Sequence, residues 1–138
     1  MRTARFLSEY CTRNAVDVVV VDDVGVGGGV VDRLKELRPG RARVVPFIGS
    51  AQAQDSDRFY NRAAEAWWKM AEAYKGGELD TEYDRALIEQ VSSRRRVQGR
   101  DDRIRLQSKS EMRVSPDEAD ALAMTFGAPR REGVKIWV

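Results

Sequence analysis

The stretch that decides the fold is Val18-Val19-Val20-Val21-Asp22-Asp23-Val24-Gly25-Val26-Gly27-Gly28-Gly29-Val30-Val31-Asp32. Its run of β-branched valines is short, which is typical of a strand buried on both faces of a parallel or mixed sheet. Asp22 and Asp23 close this strand at its carboxyl end, where α/β folds place their ligands. The glycines that follow allow a sharp turn into a helix. The stretch therefore predicts an α/β fold with carboxylates at one edge of its sheet.

The same stretch has two other interpretations. Its glycines could belong to a dinucleotide-binding turn, which would make the chain an unrelated α/β nucleotide-binding protein. However, Val30 stands three positions after Gly27, where that fingerprint needs glycine, and the preceding aspartates would repel a pyrophosphate. The other alternative is an ordinary turn whose acids are simply solvated.

A second acidic stretch lies near the other end of the chain, Ser115-Pro116-Asp117-Glu118-Ala119-Asp120-Ala121-Leu122-Ala123. Because residues three apart share one face of a helix, Asp117 and Asp120 are expected to lie together. The opposite face is apolar and is predicted to pack on the core through Ala119, Leu122, Ala123 and Phe126.

The alternative for this second stretch is a helix start without chemistry. Ser115 would then be the N-cap, Pro116 would occupy the first helical position, and the acids would be ordinary first-turn residues favoured by the helix dipole.

The amino-acid composition excludes several classes of catalytic and metal-binding site. The chain has 138 residues, 42% of them apolar, and a net charge of +2, which suits a single globular domain with its own core. It has no histidine and one cysteine, Cys11. Ser-His and Cys-His catalysis, an internal disulfide and most zinc sites are thereby excluded. Converging carboxylates in such a chain indicate a divalent metal bound through oxygen.

Apolar periodicity gives the remaining elements. Pro46 lacks a backbone donor, so the strand that contains it is placed near a sheet edge. No apolar run is long enough to cross a bilayer and no signal peptide is visible, so a cytoplasmic protein is expected. Helices are predicted over residues 3–13, 30–37, 57–75, 80–97 and 117–126, and strands over residues 17–21, 43–48 and 103–107.

Four segments, in this order along the chain, resemble the C-terminal nuclease domain of the tailed-phage terminase large subunit. Together they span about residues 1–127, which leaves 128–138 as a C-terminal tail of one partial domain, 1–138. The segments are Val19-Val20-Val21-Asp22 with its glycine turn, Phe59-Tyr60-Asn61-Arg62-Ala63-Ala64-Glu65-Ala66-Trp67-Trp68, Ile104-Arg105-Leu106-Gln107-Ser108-Lys109-Ser110-Glu111, and the acidic stretch 115–126.

The resemblance implies an RNase H-like (ribonuclease H or integrase-type) sheet flanked by helices and an endonuclease dependent on Mg²⁺ or Mn²⁺. Such a domain cuts concatemeric phage DNA during packaging, with two metals activating water and stabilising the leaving oxygen. By this resemblance Asp22 and Asp117 match the family's metal-binding and catalytic acids, and Asp120 assists on the same helix face.

The family's domain opens with strands that carry a further metal-binding aspartate, whereas this chain begins at what looks like the following helix. A partial domain with weak metal binding, and with little cutting by this chain alone, is therefore expected. The alternative is a catalytically inactive prophage remnant that binds DNA or complements a partner chain. An unpaired sheet edge would also favour association with a second copy.

Double-stranded DNA is the expected partner, together with the terminase motor domain, the small terminase subunit or the portal. Trp67 is expected in the core, Glu65 is expected to be structural, and Trp68 is placed beside the sheet edge. The residues predicted to contact the DNA backbone are Lys109 and Arg113, just before the acidic helix, and Arg94, Arg95 and Arg96, for which a solvated helix end is an equal alternative.

Overall fold

A computed structural model describes residues 2–25, 27–79 and 84–128. They fall into two compact units, which meet in the sequence between Ile48 and Gly49. The predicted α/β class is confirmed, and the single-domain boundaries stay a prediction, with residues 129–138 of the tail outside the described part. The elements are α1 (Arg2–Arg13), β1 (Val18–Asp22), α2 (Gly27–Leu37) and β2 (Arg43–Phe47), then α3 (Arg62–Lys75), α4 (Arg85–Ser93), β3 (Arg96–Gln98), β4 (Ile104–Leu106), a 3₁₀ turn (Lys109–Glu111) and α5 (Asp117–Gly127).

The first unit is built on the parallel pair β1 and β2, which α2 connects. Pro46 lies opposite Val21 in this pair. Among the described residues, β2 pairs with β1 alone and is therefore an edge strand, as predicted from Pro46. The valines of β1 are only half-buried, so the expectation of a strand buried on both faces is wrong for this sheet.

Helix α1 packs against α2 through small and aliphatic side chains. Ala4 and Leu34 are fully enclosed, and Cys11 is buried. Burial raises the pKa of the Cys11 thiol. A thiol held in its neutral form suits this packing role. Among the described residues, no helix combines the length and apolar character needed to cross a membrane.

The second unit has its core between α3, α4 and α5. Trp67 and Met70 contribute the largest side chains from α3, and Trp67 is buried as predicted. The apolar face predicted for α5 is also confirmed. The buried members of this core are Trp67, Met70, Ala73, Leu87, Ala119, Leu122, Ala123 and Phe126.

Helix α3 begins at Arg62, so the start predicted at residue 57 is wrong. Asn61 caps the helix by accepting a hydrogen bond from the backbone N–H of Ala64 at 3.0 Å. The preceding residues pair instead with β4, since the N–H of Tyr60 donates to the carbonyl of Ile104 at 3.0 Å. This pairing is tertiary, and helical periodicity gives no sign of it.

Helix α4 ends at Ser93, so the helix predicted as far as residue 97 is also too long. Residues 94–97 leave the helix because Arg96–Gln98 forms the antiparallel strand β3 beside β4. The strand predicted over residues 103–107 is confirmed as β4. Residues 80–83 of the predicted helix lie outside the described part.

Candidate active site

Asp120, in the first turn of α5, is contacted by three other side chains. Its Oδ1 accepts hydrogen bonds from the indole Nε1 of Trp67 and from a guanidinium nitrogen of Arg94, each at 2.8 Å. Its Oδ2 lies 2.5 Å from the ammonium Nζ of Lys109. Three segments that are distant in the sequence thus converge on one carboxylate.

Arg94 is the enclosed partner in this network, with a side chain only 10% exposed. Burial lowers the pKa of Arg94, and the charge and hydrogen bond of Asp120 oppose that effect. Its Nε also donates to the carbonyl of Gln107 at 3.2 Å, and its guanidinium lies 5.3 Å from the centroid of the Trp67 ring. Arg94 is therefore held in place from three sides.

Asp117 lies on the exposed side of the same helix turn and accepts a hydrogen bond from the hydroxyl of Ser115. Because that hydroxyl donates to a side chain and caps no backbone group, the alternative in which Ser115 is the N-cap is not the arrangement observed. Pro116 holds the N-cap position instead, one place before the predicted one. The helix N-terminus is capped from α4, where Oε1 of Gln90 accepts from the N–H groups of Glu118 at 2.9 Å and Ala119 at 3.2 Å.

Asp22 ends β1, as predicted, and its carboxylate is exposed. Its Oδ1 accepts from the N–H of Val24 at 3.3 Å. Asp22 belongs to the first unit, whereas Asp117 and Asp120 belong to the second. Within residues 2–25, 27–79 and 84–128, no group of three or more Asp, Glu, His or Cys side chains is placed to hold a metal ion. The assignment of these acids to one metal site stays a prediction.

The donor chemistry distinguishes the three acids. Asp22 and Asp117 carry exposed carboxylates, which fit the oxygen coordination that Mg²⁺ and Mn²⁺ prefer. Asp120 is less accessible in the arrangement described, because its Oδ1 accepts two hydrogen bonds and its Oδ2, which is buried and accepts no hydrogen bond, lies within ion-pair distance of Lys109. A metal ion approaching it would also meet two positive charges at close range.

The basic residues predicted to bind DNA fall into two groups, those paired with Asp120 and those that are exposed. Arg94 and Lys109 both form ion pairs with Asp120. Two residues predicted to contact DNA are thus paired with a residue predicted to bind metal. Arg95, Arg96 and Arg113 are exposed. Their role as DNA contacts stays a prediction.

One feature of this region was not anticipated from the sequence, whereas the structural role expected of Glu65 is confirmed. Arg58 and Lys75 lie with Arg96 around the ring of Trp68. The buried carboxylate of Glu65 accepts a hydrogen bond from the N–H of Gln54 at 2.8 Å and forms an ion pair with Lys69 at 3.1 Å. The alternation of basic and aromatic residues over 58–68 was the available signal for the arrangement around Trp68.

No protein-family profile matches the chain, and no curated protein is similar to it in sequence. Solved structures do match: the nuclease domain of the large terminase subunit gp2 of bacterial virus Sf6 superimposes with a TM-score of 0.73 at 21% identity, covering 92% of this chain and 72% of that one.

Two further structures of a mutant form of that domain give the same result. The form with manganese and beta-thujaplicinol has a TM-score of 0.74 at 17% identity, and covers 94% of this chain and 73% of its own. The form with calcium has a TM-score of 0.73 at 20% identity, with coverages of 91% and 71%. The chain therefore has the fold of the nuclease domain of a phage large terminase subunit, as the four sequence segments predicted.

Proposed function

We propose that this chain is a DNA endonuclease domain of the large-terminase type, with an RNase H-like fold, and that it cuts phage DNA during packaging. The observation that carries the proposal is the structural likeness to the gp2 nuclease domain over 92% of the chain. The four matching segments support it independently, because they were identified from the sequence. Since fold alone does not fix function, the site residues must be tested directly.

The proposed metal ligands are Asp22, Asp117 and Asp120, and the proposed metal is Mg²⁺ or Mn²⁺. The structures of the similar domain with manganese and with calcium support the use of a divalent cation. When bound, such an ion would activate water for attack on a phosphodiester and stabilise the leaving oxygen. The carboxylates of Asp22 and Asp117 are each exposed to such an ion, whereas Asp120 can join only by exchanging Lys109 for the metal.

The proposed partner is double-stranded DNA, and the motor domain, the small terminase subunit and the portal are proposed as partners in packaging. The exposed arginines Arg95, Arg96 and Arg113 support the first of these, because sequence-independent DNA binding depends on cationic contacts to phosphate.

A second candidate function is DNA binding without cutting, as in an inactive remnant. The ion pairs of Asp120 with Arg94 and Lys109 favour it, since they neutralise an acid that cutting would need for metal. In that case the basic surface retains its role and Asp120 serves only to hold the second unit together.

The test is conversion of supercoiled plasmid to nicked or linear DNA in the presence of Mn²⁺. The proposal predicts cutting by the chain and its loss in an Asp117→Asn variant. Glu118→Gln is the matched control, because Glu118 is an exposed acid in the same helix turn and lies outside the proposed set. A folded chain that binds plasmid without cutting it would support the second candidate and overturn the first.

A further inference from the structure

Three cationic side chains surround one indole ring in the second unit. The guanidinium carbon of Arg58 lies 4.7 Å from the centroid of Trp68, and that of Arg96 lies 5.5 Å from it. The ammonium of Lys75 lies at 5.9 Å. We call these four residues the Trp68 cluster. The cations come from the segment before α3, from its last turn and from β3, so the cluster is assembled by tertiary structure.

The backbone fixes the positions of the two arginines. The carbonyl of Arg58 accepts from the N–H of Ile104 in β4 at 2.8 Å, and β4 pairs in turn with β3, where Arg96 lies opposite Leu106. The buried ring of Phe59 packs against Trp68 with centroids 6.0 Å apart. The indole is therefore anchored on one side by the core, and the guanidinium groups rest on a fixed support.

The charges of this cluster are poorly compensated. Lys75 pairs with Glu72 at 3.4 Å. In the part of the chain that the structure describes, no carboxylate lies within ion-pair distance of Arg58 or Arg96, although both are exposed. The cluster gathers like charges around one ring, and an anion bound there would relieve their mutual repulsion.

Two neighbouring arginines, just before β4 and within it, have their charges compensated by a carboxylate. Arg103 and Arg105 share the carboxylate of Asp101, at 2.7 Å and 3.2 Å. The hydrogen bond from Arg103, with the charges of both arginines, lowers the pKa of Asp101. That carboxylate therefore stays charged and occupies the two guanidinium groups. Among the described residues, Arg58 and Arg96 of the Trp68 cluster have no such carboxylate partner.

We propose that Arg58 and Arg96, supported by the Trp68 ring, bind phosphate groups of a DNA backbone. The inference rests on the proposed function and names a contact surface for its substrate. A guanidinium stacked on an aromatic face keeps its N–H edges free, and those edges match phosphate oxygens in a bidentate manner. Stacking also restricts the side chain before DNA arrives, which reduces the entropy lost on binding. Phosphate contacts carry no sequence information, so binding here is independent of base sequence.

The test is the salt dependence of binding to a short fluorescent DNA duplex, measured by anisotropy for the whole chain without added metal. Each phosphate contact contributes about 0.9 to the slope of log affinity against log salt. The double variant Arg58→Ala/Arg96→Ala is expected to reduce the magnitude of that slope by about 1.8. Arg85→Ala is the matched control, since Arg85 is an exposed arginine of α4 that already pairs with Glu89, and its slope should match the parent.

A second pair of variants separates the ring from the charge. Trp68→Leu removes the aromatic support without changing the net charge, and we expect weaker DNA binding than in the parent. Trp68→Phe keeps an aromatic face and should bind more tightly than Trp68→Leu. Should Trp68→Leu fail to fold, the arginine variants decide the matter, because both of their side chains are exposed.

The outcomes distinguish the two proposals. If the parent chain binds duplex DNA and the double variant keeps the full slope, the Trp68 cluster is not the contact surface, while the proposed function stands. A loss in Arg85→Ala half as large as that in the double variant would mean diffuse attraction by net charge, because Arg85→Ala removes one charge and the double variant two, and would likewise overturn the inference. If the parent chain does not bind duplex DNA, the proposed function fails and this inference falls with it.

Discussion

Arg94 and Asp120, 26 residues apart in the sequence, form an ion pair of 2.8 Å in which the arginine side chain is 10% exposed and the aspartate side chain 19%. The pair joins the end of α4 to the first turn of α5 and lies against Trp67. It connects the stability of the second unit to the acid predicted to bind metal, and both consequences can be measured.

Replacing Arg94 with Met should destabilise the chain by about 3 kcal/mol, because removal of one partner leaves a half-buried carboxylate poorly compensated. Urea denaturation monitored by tryptophan fluorescence measures the change. Arg95→Met is the control, since Arg95 is exposed and should change the free energy of unfolding by less than about 0.5 kcal/mol. Equal effects of the two variants would show that the ion pair is not important for stability.

Glu65 should give the chain part of its acid sensitivity. Burial raises the pKa of Glu65, but hydrogen bonds from the N–H groups of Gln54 and Asp55 and the charge of Lys69 outweigh it, so the net pKa is lowered. The stabilisation is therefore complete above the ordinary carboxyl pKa of 4.5 and is lost as the pH falls through the lower value in the folded chain.

The Glu65→Gln variant tests this sign. We expect it to be about 2 kcal/mol less stable than the parent at pH 7, with the difference shrinking below pH 4.5. Thermal or urea unfolding across that range gives the measurement. Glu72→Gln, at an exposed ion pair, should cost little at any pH. A penalty for Glu65→Gln that stays constant from neutral to acid pH would show that the charge of Glu65 is unimportant.

The start of α5 offers a test between the cap predicted from the sequence and the cap observed. Gln90→Ala should destabilise the chain by about 1 kcal/mol, because two N–H groups of the helix lose their acceptor. Ser115→Ala should be nearly neutral, since the Ser115 hydroxyl donates to Asp117 and caps no backbone group. Urea midpoints of both variants, compared at equal m-values, decide between them, and the reverse order would contradict the observed cap.

Metal binding should depend on Asp22 and Asp117. Titration calorimetry with Mn²⁺ is expected to show binding to the parent chain, a loss in Asp22→Asn and in Asp117→Asn, and little change in Glu118→Gln. Loss in both aspartate variants would indicate one shared site, because two separate sites would each survive the other substitution. Unchanged binding in both would remove these acids from the proposed ligand set.

Much of this architecture could be predicted from local patterns. Helix α5 shows why: its buried positions Ala119, Leu122 and Ala123 follow the helical period, so the core face was predictable. The strand β1 and its acid were likewise predictable from a β-branched run followed by carboxylates and glycines. The order of the four segments also led to the fold that the solved structures share.

What could not be predicted depends on contacts between distant residues. Pairing of Tyr60 with Ile104 shortened α3 at its start, and pairing of β3 with β4 ended α4 early. The ion pair of Asp120 with Arg94 is likewise a contact between residues that are distant in the sequence. The sequence showed an acid with helical spacing and an arginine in a basic run, and only their tertiary placement shows that each neutralises the other.

The most direct test of the proposed function is Mn²⁺-dependent cutting of supercoiled plasmid by the purified chain, followed over time beside its Asp117→Asn variant. We expect nicked and then linear DNA with the parent, none with Asp117→Asn, and the parent's activity with Glu118→Gln. Plasmid that stays supercoiled with a folded, DNA-binding parent chain, or cutting that survives in Asp117→Asn, would contradict the proposed function.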